Sequence, residues 1–163
     1  MSGLNLISCS PQETEELGSQ LGLLLQPGSF LALQGELGGG KTCFTRGVVS
    51  SVAPESAHMV ASPTFAIMNN YQAAVPVYHF DFYRLTGDDD IAELGFEEYF
   101  YGKGVCVVEW SERLNELMPS DHLTVKFDYQ DDLQRTITIT ADGPLSKKVI
   151  QQLIDRRSGQ NNL

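Results

Sequence analysis

The sequence has few of the residues on which disulfide frameworks and zinc sites depend. Its three cysteines, Cys9, Cys43 and Cys106, form no Cys-x-x-Cys pair, and its three histidines show no His-x-x-x-His spacing. Such pairs are the usual ligand patterns of zinc centres. We therefore expect free thiols, a reducing compartment and no zinc.

Long apolar runs are also missing from the sequence, and we expect no leader segment. No stretch approaches the roughly 20 apolar residues that a membrane-spanning helix needs. The first residues do not combine a basic segment with an apolar one, as a secretory signal does. The sequence therefore predicts a cytoplasmic protein without membrane contact.

Positive charge is scarce, because 11 Lys and Arg residues face 21 Asp and Glu residues and the net charge is −10. An acidic surface repels nucleic-acid phosphates, which argues against broad, non-specific binding of DNA or RNA. A role in a nucleic-acid pathway through protein partners stays open. The length of 163 residues suits one soluble domain, which we expect over residues 1–157, with a flexible tail over 158–163.

What the sequence does contain is a glycine-rich segment with a strict spacing. Residues 35–42 read Gly-Glu-Leu-Gly-Gly-Gly-Lys-Thr and match the phosphate-loop pattern G-x-x-x-x-G-K-[ST]. Glycines allow the positive φ angles with which successive backbone N–H groups surround a phosphate, and the following helix points its N–H groups at the anion. Lys41 can reach the β- and γ-phosphates, and the Thr42 hydroxyl can bind Mg²⁺.

The surroundings of this segment favour a phosphate site over a chance match or a plain glycine turn. Residues 29–34 form a short apolar run that predicts a buried strand, and residues 41–52 predict the helix after the loop. Cys43 is expected to be a buried helix residue rather than a nucleophile. The pattern predicts a loop that binds the phosphates of a nucleotide with Mg²⁺, and we expect that nucleotide to be ATP.

Two carboxylates follow predicted strands, where a P-loop nucleotidase needs an acidic group for Mg²⁺ or for the attacking water. Glu109 follows the apolar residues 105–108, and Asp81 follows a strand over residues 76–80. Either carboxylate could instead be solvated or cap a helix. The apolar run before Glu109 and the tryptophan after it favour a functional role.

Three other features of the sequence each allow two interpretations. Trp110, the only tryptophan, is either a core residue or stacks at a ligand or partner surface. Ser62-Pro63-Thr64 is either an ordinary turn or a loop that holds a hydroxyl near the γ-phosphate. His79 is more typical of a satisfied structural histidine than of a base or metal ligand.

The rest of the chain predicts an α/β fold with a central mixed, mostly parallel sheet flanked by helices. Ser10 is the expected N-cap of a helix that has Pro11 at N1 and Glu13 at N3, as in a capping box. Strands are expected over residues 4–9 and 65–71, an antiparallel hairpin over 122–128 and 134–140, and helices from Asp88 to Gly95, from Ser111 into Met118, and over 145–156.

In chain order, these motifs resemble the bacterial TsaE family, the P-loop ATPases of tRNA threonylcarbamoyladenosine (t6A) biosynthesis. The resemblance rests on the phosphate loop and on three further segments, which are Ser62-Pro63-Thr64-Phe65, the run from His79 to Leu85 (His-Phe-Asp-Phe-Tyr-Arg-Leu), and Glu109-Trp110. It covers nearly the whole chain, and the combination is far more specific than the loop alone.

The resemblance implies a weak ATPase whose activity depends on a complex with the threonylcarbamoyl-transferase subunit TsaD and its companion TsaB. That complex modifies adenosine 37 of tRNAs that read codons beginning with A. The ATPase would meet tRNA only indirectly, through the complex, and hydrolysis would reset the complex between turnovers.

The resemblance also assigns roles to residues. Thr42 and Glu109 would hold Mg²⁺, and Asp81 would act in hydrolysis together with Glu109 and Lys41. The start of the first helix and the late hairpin would approach the adenosine, and Thr64 the γ-phosphate. The expected nucleotide-binding residues are then Ser10, Gly35, Gly38, Gly39, Gly40, Lys41, Thr42, Cys43, Thr64, Leu133 and Arg135.

Two alternatives stay open at this point. The loop also occurs in small-molecule kinases, although an extended arginine-rich lid is not apparent in this sequence. A non-hydrolytic switch, in which nucleotide only controls partner binding, is the other alternative. A GTPase is disfavoured because the sequence has neither an Asn-Lys-x-Asp segment nor an Asp-x-x-Gly after a strand.

Overall fold

The computed structural model describes residues 3–36, 40–61, 67–132 and 134–161. Its strands are β1 (Gly3–Ser8), β2 (Phe30–Gly35), β3 (Met68–Tyr71), β4 (Val77–Asp81), β5 (Val105–Glu109), β6 (His122–Tyr129) and β7 (Arg135–Asp142). Its α-helices are α1 (Pro11–Gly22), α2 (Lys41–Val52), α3 (Asp88–Glu93), α4 (Glu97–Phe100) and α5 (Pro144–Asn161).

The seven strands form one mixed sheet in the order β1-β7-β6-β2-β5-β4-β3. The four central strands β6, β2, β5 and β4 are parallel, whereas β7, β1 and β3 run antiparallel to their neighbours. Helices cover both faces, so the predicted α/β fold is confirmed. Parallel pairing brings the carboxyl ends of β2, β4 and β5 to the same edge of the sheet, where open α/β sheets bind their ligands.

Side-chain alternation along the strands divides the core into two layers. In β2, Leu31 and Leu33 face the layer that contains α1, α2 and α5. Phe30 and Ala32 face the layer that contains α3 and α4. All five residues of β5 are buried, as the unbroken apolar run predicts.

Helices α1 and α2 cross at unusually short range because glycines face each other there. A Cβ atom on Gly18 would lie 2.2 Å from the Phe44 carbonyl oxygen, and one on Gly47 would lie 1.9 Å from the Glu15 carbonyl oxygen. The Ser19 and Ser51 hydroxyls are 2.9 Å apart across the same contact. The crossing therefore fixes the start of α2 relative to the start of α1.

The first helix begins as the sequence predicts. The Glu13 backbone N–H donates to Ser10 Oγ at 3.1 Å, and the Cys9 backbone N–H donates to the Glu13 carboxylate at 2.6 Å. Both bonds satisfy backbone donors at the entry to α1, which holds Ser10 in a fixed position.

Two predicted helices have different bounds in the structure. The segment after Ser111 is only a 3-10 turn over Ser111–Arg113. The turn does not continue as a helix, because the backbone N–H groups of Asn115 and Glu116 donate to the Asp88 carboxylate instead of to carbonyl oxygens of the preceding turn. The last helix continues to Asn161, beyond the predicted end at residue 156.

Short helical segments account for the remaining differences. The sequence reading left out α4 and the 3-10 helix over Pro54–Met59. β3 begins at Met68, after Ile67 with a φ of 65°, and the start predicted for it at residue 65 lies outside the described residues. Within the described part of the chain, no helix has the length and apolar character needed to cross a bilayer.

Candidate functional site

The glycine-rich segment connects a central strand to a helix, as a phosphate loop must. β2 ends at Gly35, whose φ is 145°, and Gly40, whose φ is 101°, directly precedes Lys41 at the start of α2. Within the described residues, the N-cap position of α2 is a glycine that makes no side-chain hydrogen bond to the first turn. A helix that begins in this way after a glycine-rich segment is the arrangement with which P-loops bind anions. Gly38 and Gly39 lie outside the described residues.

Lys41 lies under the loop rather than extending into solvent. Its side chain is buried, and Nζ donates to the Gly35 carbonyl oxygen at 2.6 Å. The same ammonium group lies 4.7 Å from the centre of the Trp110 ring, a cation–π contact. The two contacts hold one positive charge where the strand passes into the loop.

Asp81 and Glu109 occupy the same sheet edge. They are direct register partners in the parallel pair β4–β5, and Glu109 is also the register partner of Leu33 in β2. Alternation from Val77 and Val107 puts both carboxylates on the face that α2 covers. The structure therefore brings the two predicted acids together beside the loop.

The two carboxylates differ in environment. Glu109 is buried, whereas Asp81 is partly exposed. Burial raises the pKa of the Asp81 carboxyl and the Glu109 charge raises it further. A hydrogen bond from the Tyr83 backbone N–H, 3.0 Å long, and the charges of His79 and Lys41 act in the opposite direction. Asp81 is thus a carboxylate with increased proton affinity next to a second carboxylate.

His79 is a site contact that the sequence reasoning missed. It is fully buried, and its Nε2 lies 2.6 Å from Glu109 Oε2. Its Nδ1 lies 3.3 Å from the Tyr71 hydroxyl, so both ring nitrogens have partners. The available signal was period-two alternation, because His79 precedes Asp81 by two residues and therefore shares its face.

Trp110 lies at the mouth of the site and also packs partly against the core. Its backbone is left-handed, with a φ of 57°. The Tyr83 ring lies 4.9 Å from its ring, and the Arg113 guanidinium lies 5.6 Å away. Directly after it, Ser111 Oγ donates to the Leu33 carbonyl oxygen. Trp110 is therefore partly a core residue and partly a residue at the mouth of the site, so each of the two sequence-based interpretations is met in part.

A cleft of about 280 Å³ is lined by further residues that the sequence analysis predicts to bind the nucleotide. Ser10 comes from the start of α1, Gly40 and Cys43 from the start of α2, and Arg135 from β7. Cys43 is half-buried, not buried as predicted, because it lines this cleft. Thr64 and Leu133 lie outside the described residues.

Arg135 is held in place at the rim of this cleft. Its guanidinium lies 4.5 Å from the centre of the Tyr129 ring, and Nη1 donates to the Asp131 carbonyl oxygen at 2.9 Å. The hairpin end that carries it therefore presents an ordered cation and an aromatic ring beside the loop.

The oxygen donors at the sheet edge fit Mg²⁺. Among the described residues, no group of three or more His, Cys, Asp or Glu side chains is arranged to hold a metal alone. Mg²⁺ is usually bound by one or two carboxylates together with substrate phosphates and waters. Glu109, its register partner Asp81 and the Thr42 hydroxyl at the start of α2 provide such a partial set.

Comparison with known proteins agrees with this architecture. The family model described as "Threonylcarbamoyl adenosine biosynthesis protein TsaE" matches residues 8–137. A relative from Bacillus subtilis, named tRNA threonylcarbamoyladenosine biosynthesis protein TsaE, is 36% identical over 94% of this chain and 95% of its own length. A relative of the same name from Treponema pallidum is 37% identical over 83% of this chain and 99% of its own length.

A solved structure has the same fold. The crystal structure of Bacillus subtilis YdiB matches with a TM-score of 0.79 and 31% sequence identity, and the match covers 96% of this chain and 97% of that one. Most of the family match lies in the part of the chain that carries the loop, the paired carboxylates and the hairpin. The chain belongs to the TsaE family of threonylcarbamoyladenosine biosynthesis proteins.

Proposed function

We propose that this chain binds ATP with Mg²⁺ at residues 35–42 and hydrolyses it in support of the threonylcarbamoylation of adenosine 37 in tRNA. The observation that carries the proposal is the convergence of a buried lysine with two register-paired carboxylates at one sheet edge. Membership of a family named for t6A biosynthesis supplies the pathway. The family also implies nucleotide binding, and ATP is the nucleotide proposed.

The phosphates are bound by the loop and the start of α2. Backbone N–H groups over Gly38 to Thr42 surround them, and the dipole of α2 favours their negative charge. Lys41 is already held at the loop by Gly35 and Trp110, so its ammonium group needs little reorganisation to meet β- and γ-phosphate oxygens.

Mg²⁺ would be held by Thr42 and Glu109 and would neutralise charge on the phosphate oxygens during phosphoryl transfer. Asp81 lies beside Glu109 and has a raised pKa. A carboxylate of increased proton affinity is suited to orient a water molecule and to accept a proton from it. We assign that role to Asp81.

The adenosine end lies in the cleft between α1 and the β6–β7 hairpin. Ser10, Cys43 and Arg135 line that cleft within the described residues. Gly40, the last loop residue before α2, lines it too, so the cleft is continuous with the loop. Leu133 and Thr64 complete the proposed set, the first at the adenosine and the second at the γ-phosphate.

Hydrolysis is slow in the isolated chain and is stimulated by TsaD and TsaB in this proposal. The net charge of −10 disfavours direct tRNA binding, which supports contact with tRNA only through those partners. Phosphate release from ATP is to be measured for the full chain with and without the two subunits. A clear rise on their addition is expected, and rapid hydrolysis by the highly purified chain alone would contradict partner dependence.

A pair of variants distinguishes a hydrolytic role from a nucleotide-operated switch. Lys41→Ala weakens phosphate binding in either case, whereas Asp81→Asn should leave ATP binding nearly intact and impair hydrolysis. Cells that depend on this protein for t6A should lose the modification with both variants. Normal t6A content with Asp81→Asn, together with loss with Lys41→Ala, would show that hydrolysis is not required.

A further inference from the structure

We infer that His79 is a positioning residue that fixes the orientation of the Glu109 carboxylate through a hydrogen-bond chain running across three strands of the sheet. This inference rests on the proposed function of Glu109 in binding Mg²⁺ with ATP. It adds a residue that lies behind the site and that is assigned here from geometry alone.

The chain starts at the edge strand β3 and ends at the central strand β5. Asn69 Nδ2 lies 3.4 Å from the Tyr71 hydroxyl, which lies 3.3 Å from His79 Nδ1. His79 Nε2 lies 2.6 Å from Glu109 Oε2. Register pairing of Asn69 with His79 puts these side chains on one face of the sheet. The members are therefore neighbours because of strand order, not sequence order.

The direction of the hydrogen bonds follows from what each group can donate. A carboxylate that binds Mg²⁺ is ionised and only accepts, so His79 Nε2 must donate to Glu109. With the ring hydrogen on Nε2, Nδ1 accepts a hydrogen bond from the Tyr71 hydroxyl. Burial raises the pKa of Tyr71 above its ordinary value, which keeps that hydroxyl protonated. Asn69 in turn donates to the Tyr71 oxygen. This assignment gives each of the four side chains a hydrogen-bond partner.

Burial makes this arrangement rigid. His79 has no exposed surface, Tyr71 is 3% exposed and Glu109 is 3% exposed. In such surroundings a hydrogen bond to a charged group is stronger than at the surface, and losing one partner leaves a buried polar group unsatisfied. The ring of His79 consequently restricts the Glu109 side chain to one orientation at the end of β5.

The test compares nucleotide binding with and without the metal. A non-hydrolysable ATP analogue is titrated into the full chain in Mg²⁺ and again in EDTA. His79→Leu removes the donor, so the affinity in Mg²⁺ should fall about tenfold or more, as is typical when a residue supporting a metal ligand is lost. The affinity in EDTA should stay close to that of the wild type, because the loop and Lys41 are unchanged.

Two conservative variants separate positioning from packing. His79→Gln retains an N–H donor on a shorter planar group and should recover most of the Mg²⁺-dependent affinity. Tyr71→Phe removes only the hydroxyl that donates to Nδ1 and should cause a smaller loss. Its matched control is Tyr78→Phe, which removes a hydroxyl from the opposite face of the sheet, where Tyr78 contacts the Tyr99 ring. Tyr78→Phe should bind like the wild type.

Each outcome decides one claim. If the wild type binds the analogue equally well in Mg²⁺ and EDTA, the proposed function of Glu109 fails. If the wild type needs Mg²⁺ but His79→Leu does not differ from it, only the positioning role is wrong. If His79→Leu loses the same factor of affinity for the analogue in Mg²⁺ and in EDTA, the role of His79 is purely structural. If His79→Leu does not fold, the two tyrosine variants decide. Equal affinities of Tyr71→Phe and Tyr78→Phe for the analogue in Mg²⁺ would overturn the inference.

Discussion

At the scale of single residues, the site combines one buried cation with two neighbouring carboxylates. Lys41 is 5% exposed and has contacts with both Gly35 and Trp110. Asp81 and Glu109 lie side by side in register. Buried charges are costly unless they are paired or serve a ligand, so this grouping supports the proposed site at the sheet edge.

Replacing Lys41 by Ala should weaken ATP binding by about tenfold to a hundredfold. This factor corresponds to the free energy of one hydrogen bond to a charged group. The loss follows because the buried point charge that faces the phosphates disappears. Calorimetric titration with ATP measures it. Lys103→Ala, an exposed lysine after α4, is the control and should bind ATP like the wild type. Equal affinity of Lys41→Ala and Lys103→Ala would remove Lys41 from the site.

Asp81→Asn should separate catalysis from stability. Hydrolysis in the presence of the partners should fall by about a hundredfold or more, as expected for a lost general base, while ATP affinity changes little. The variant should also melt at a higher temperature at neutral pH. The raised pKa of Asp81 means that its ionised form destabilises the folded state, and the neutral Asn removes this charge from beside Glu109. Single-turnover hydrolysis and thermal unfolding are the measurements, and full turnover would exclude Asp81 from the mechanism.

The residues of the site could be predicted from sequence where a motif or strand end carries them. Lys41 follows from the loop spacing, and Asp81 and Glu109 follow from the apolar runs before them. The His79–Glu109 contact could not be predicted with the same means, since it depends on the register of β4 against β5. The contact of Lys41 with Trp110 likewise depends on the left-handed backbone at Trp110.

At the scale of elements, the position of the cleft between α1 and the β6–β7 hairpin depends on the α1–α2 crossing. Gly47→Ala would bring a Cβ atom against the backbone of α1. It should lower the free energy of unfolding by about 1–3 kcal/mol. The same substitution at Gly159 in α5 meets no atom of the described residues within 4 Å, apart from its chain neighbours and its own helix backbone. It should instead raise the free energy of unfolding by up to about 1 kcal/mol. Urea denaturation of the two variants measures this contrast, and equal effects would contradict the close crossing.

The first turn of α5 is capped by Asp121, which lies directly before β6. The Asp121 carboxylate accepts hydrogen bonds from the backbone N–H groups of Leu145 and Ser146 and from Ser146 Oγ. Partial burial opposes ionisation of Asp121, but these hydrogen bonds, together with His122, bring its pKa below the ordinary value. Gly143 is required beside it, because a Cβ there would lie 2.5 Å from Asp121 Cγ.

Asp121→Ala should therefore cost about 1 kcal/mol of stability and lower the melting temperature by about 2–4 °C. Because the folded pKa of Asp121 is lower than the unfolded one, its contribution is present above the unfolded pKa and disappears as the pH falls through the folded pKa. The difference between wild type and Asp121→Ala should shrink accordingly in acid. Asp121→Asn is the control, since it retains an acceptor without the charge. A difference independent of pH would contradict the role of the charge.

Elements with strong local signals were predicted well, and those fixed by distant contacts were not. Ser10 and Pro11 mark the start of α1, and the apolar run before Glu109 marks β5. The helix predicted after Ser111 was wrong because Asp88, far away in sequence, takes the backbone donors of Asn115 and Glu116. The four-residue α4 is too short to leave a periodic pattern.

At the scale of the whole molecule, the strand order gathers the predicted site. β2 lies between β6 and β5, so the loop after β2 has the carboxylates of β4 and β5 on one side and the β6–β7 hairpin on the other. In the proposed function, the phosphate and adenosine ends of one nucleotide would therefore have separate neighbours. The net charge of −10 on the whole chain suits protein partners better than direct contact with tRNA.

Calorimetric titration of the full chain with ATP in Mg²⁺ tests the central claim most directly, that this sheet edge binds a nucleoside triphosphate. The account predicts saturable binding with one site per chain, weaker binding when EDTA replaces Mg²⁺, and competition by the non-hydrolysable analogue. No heat of binding for ATP or for GTP in Mg²⁺, with a chain that unfolds cooperatively, would contradict it.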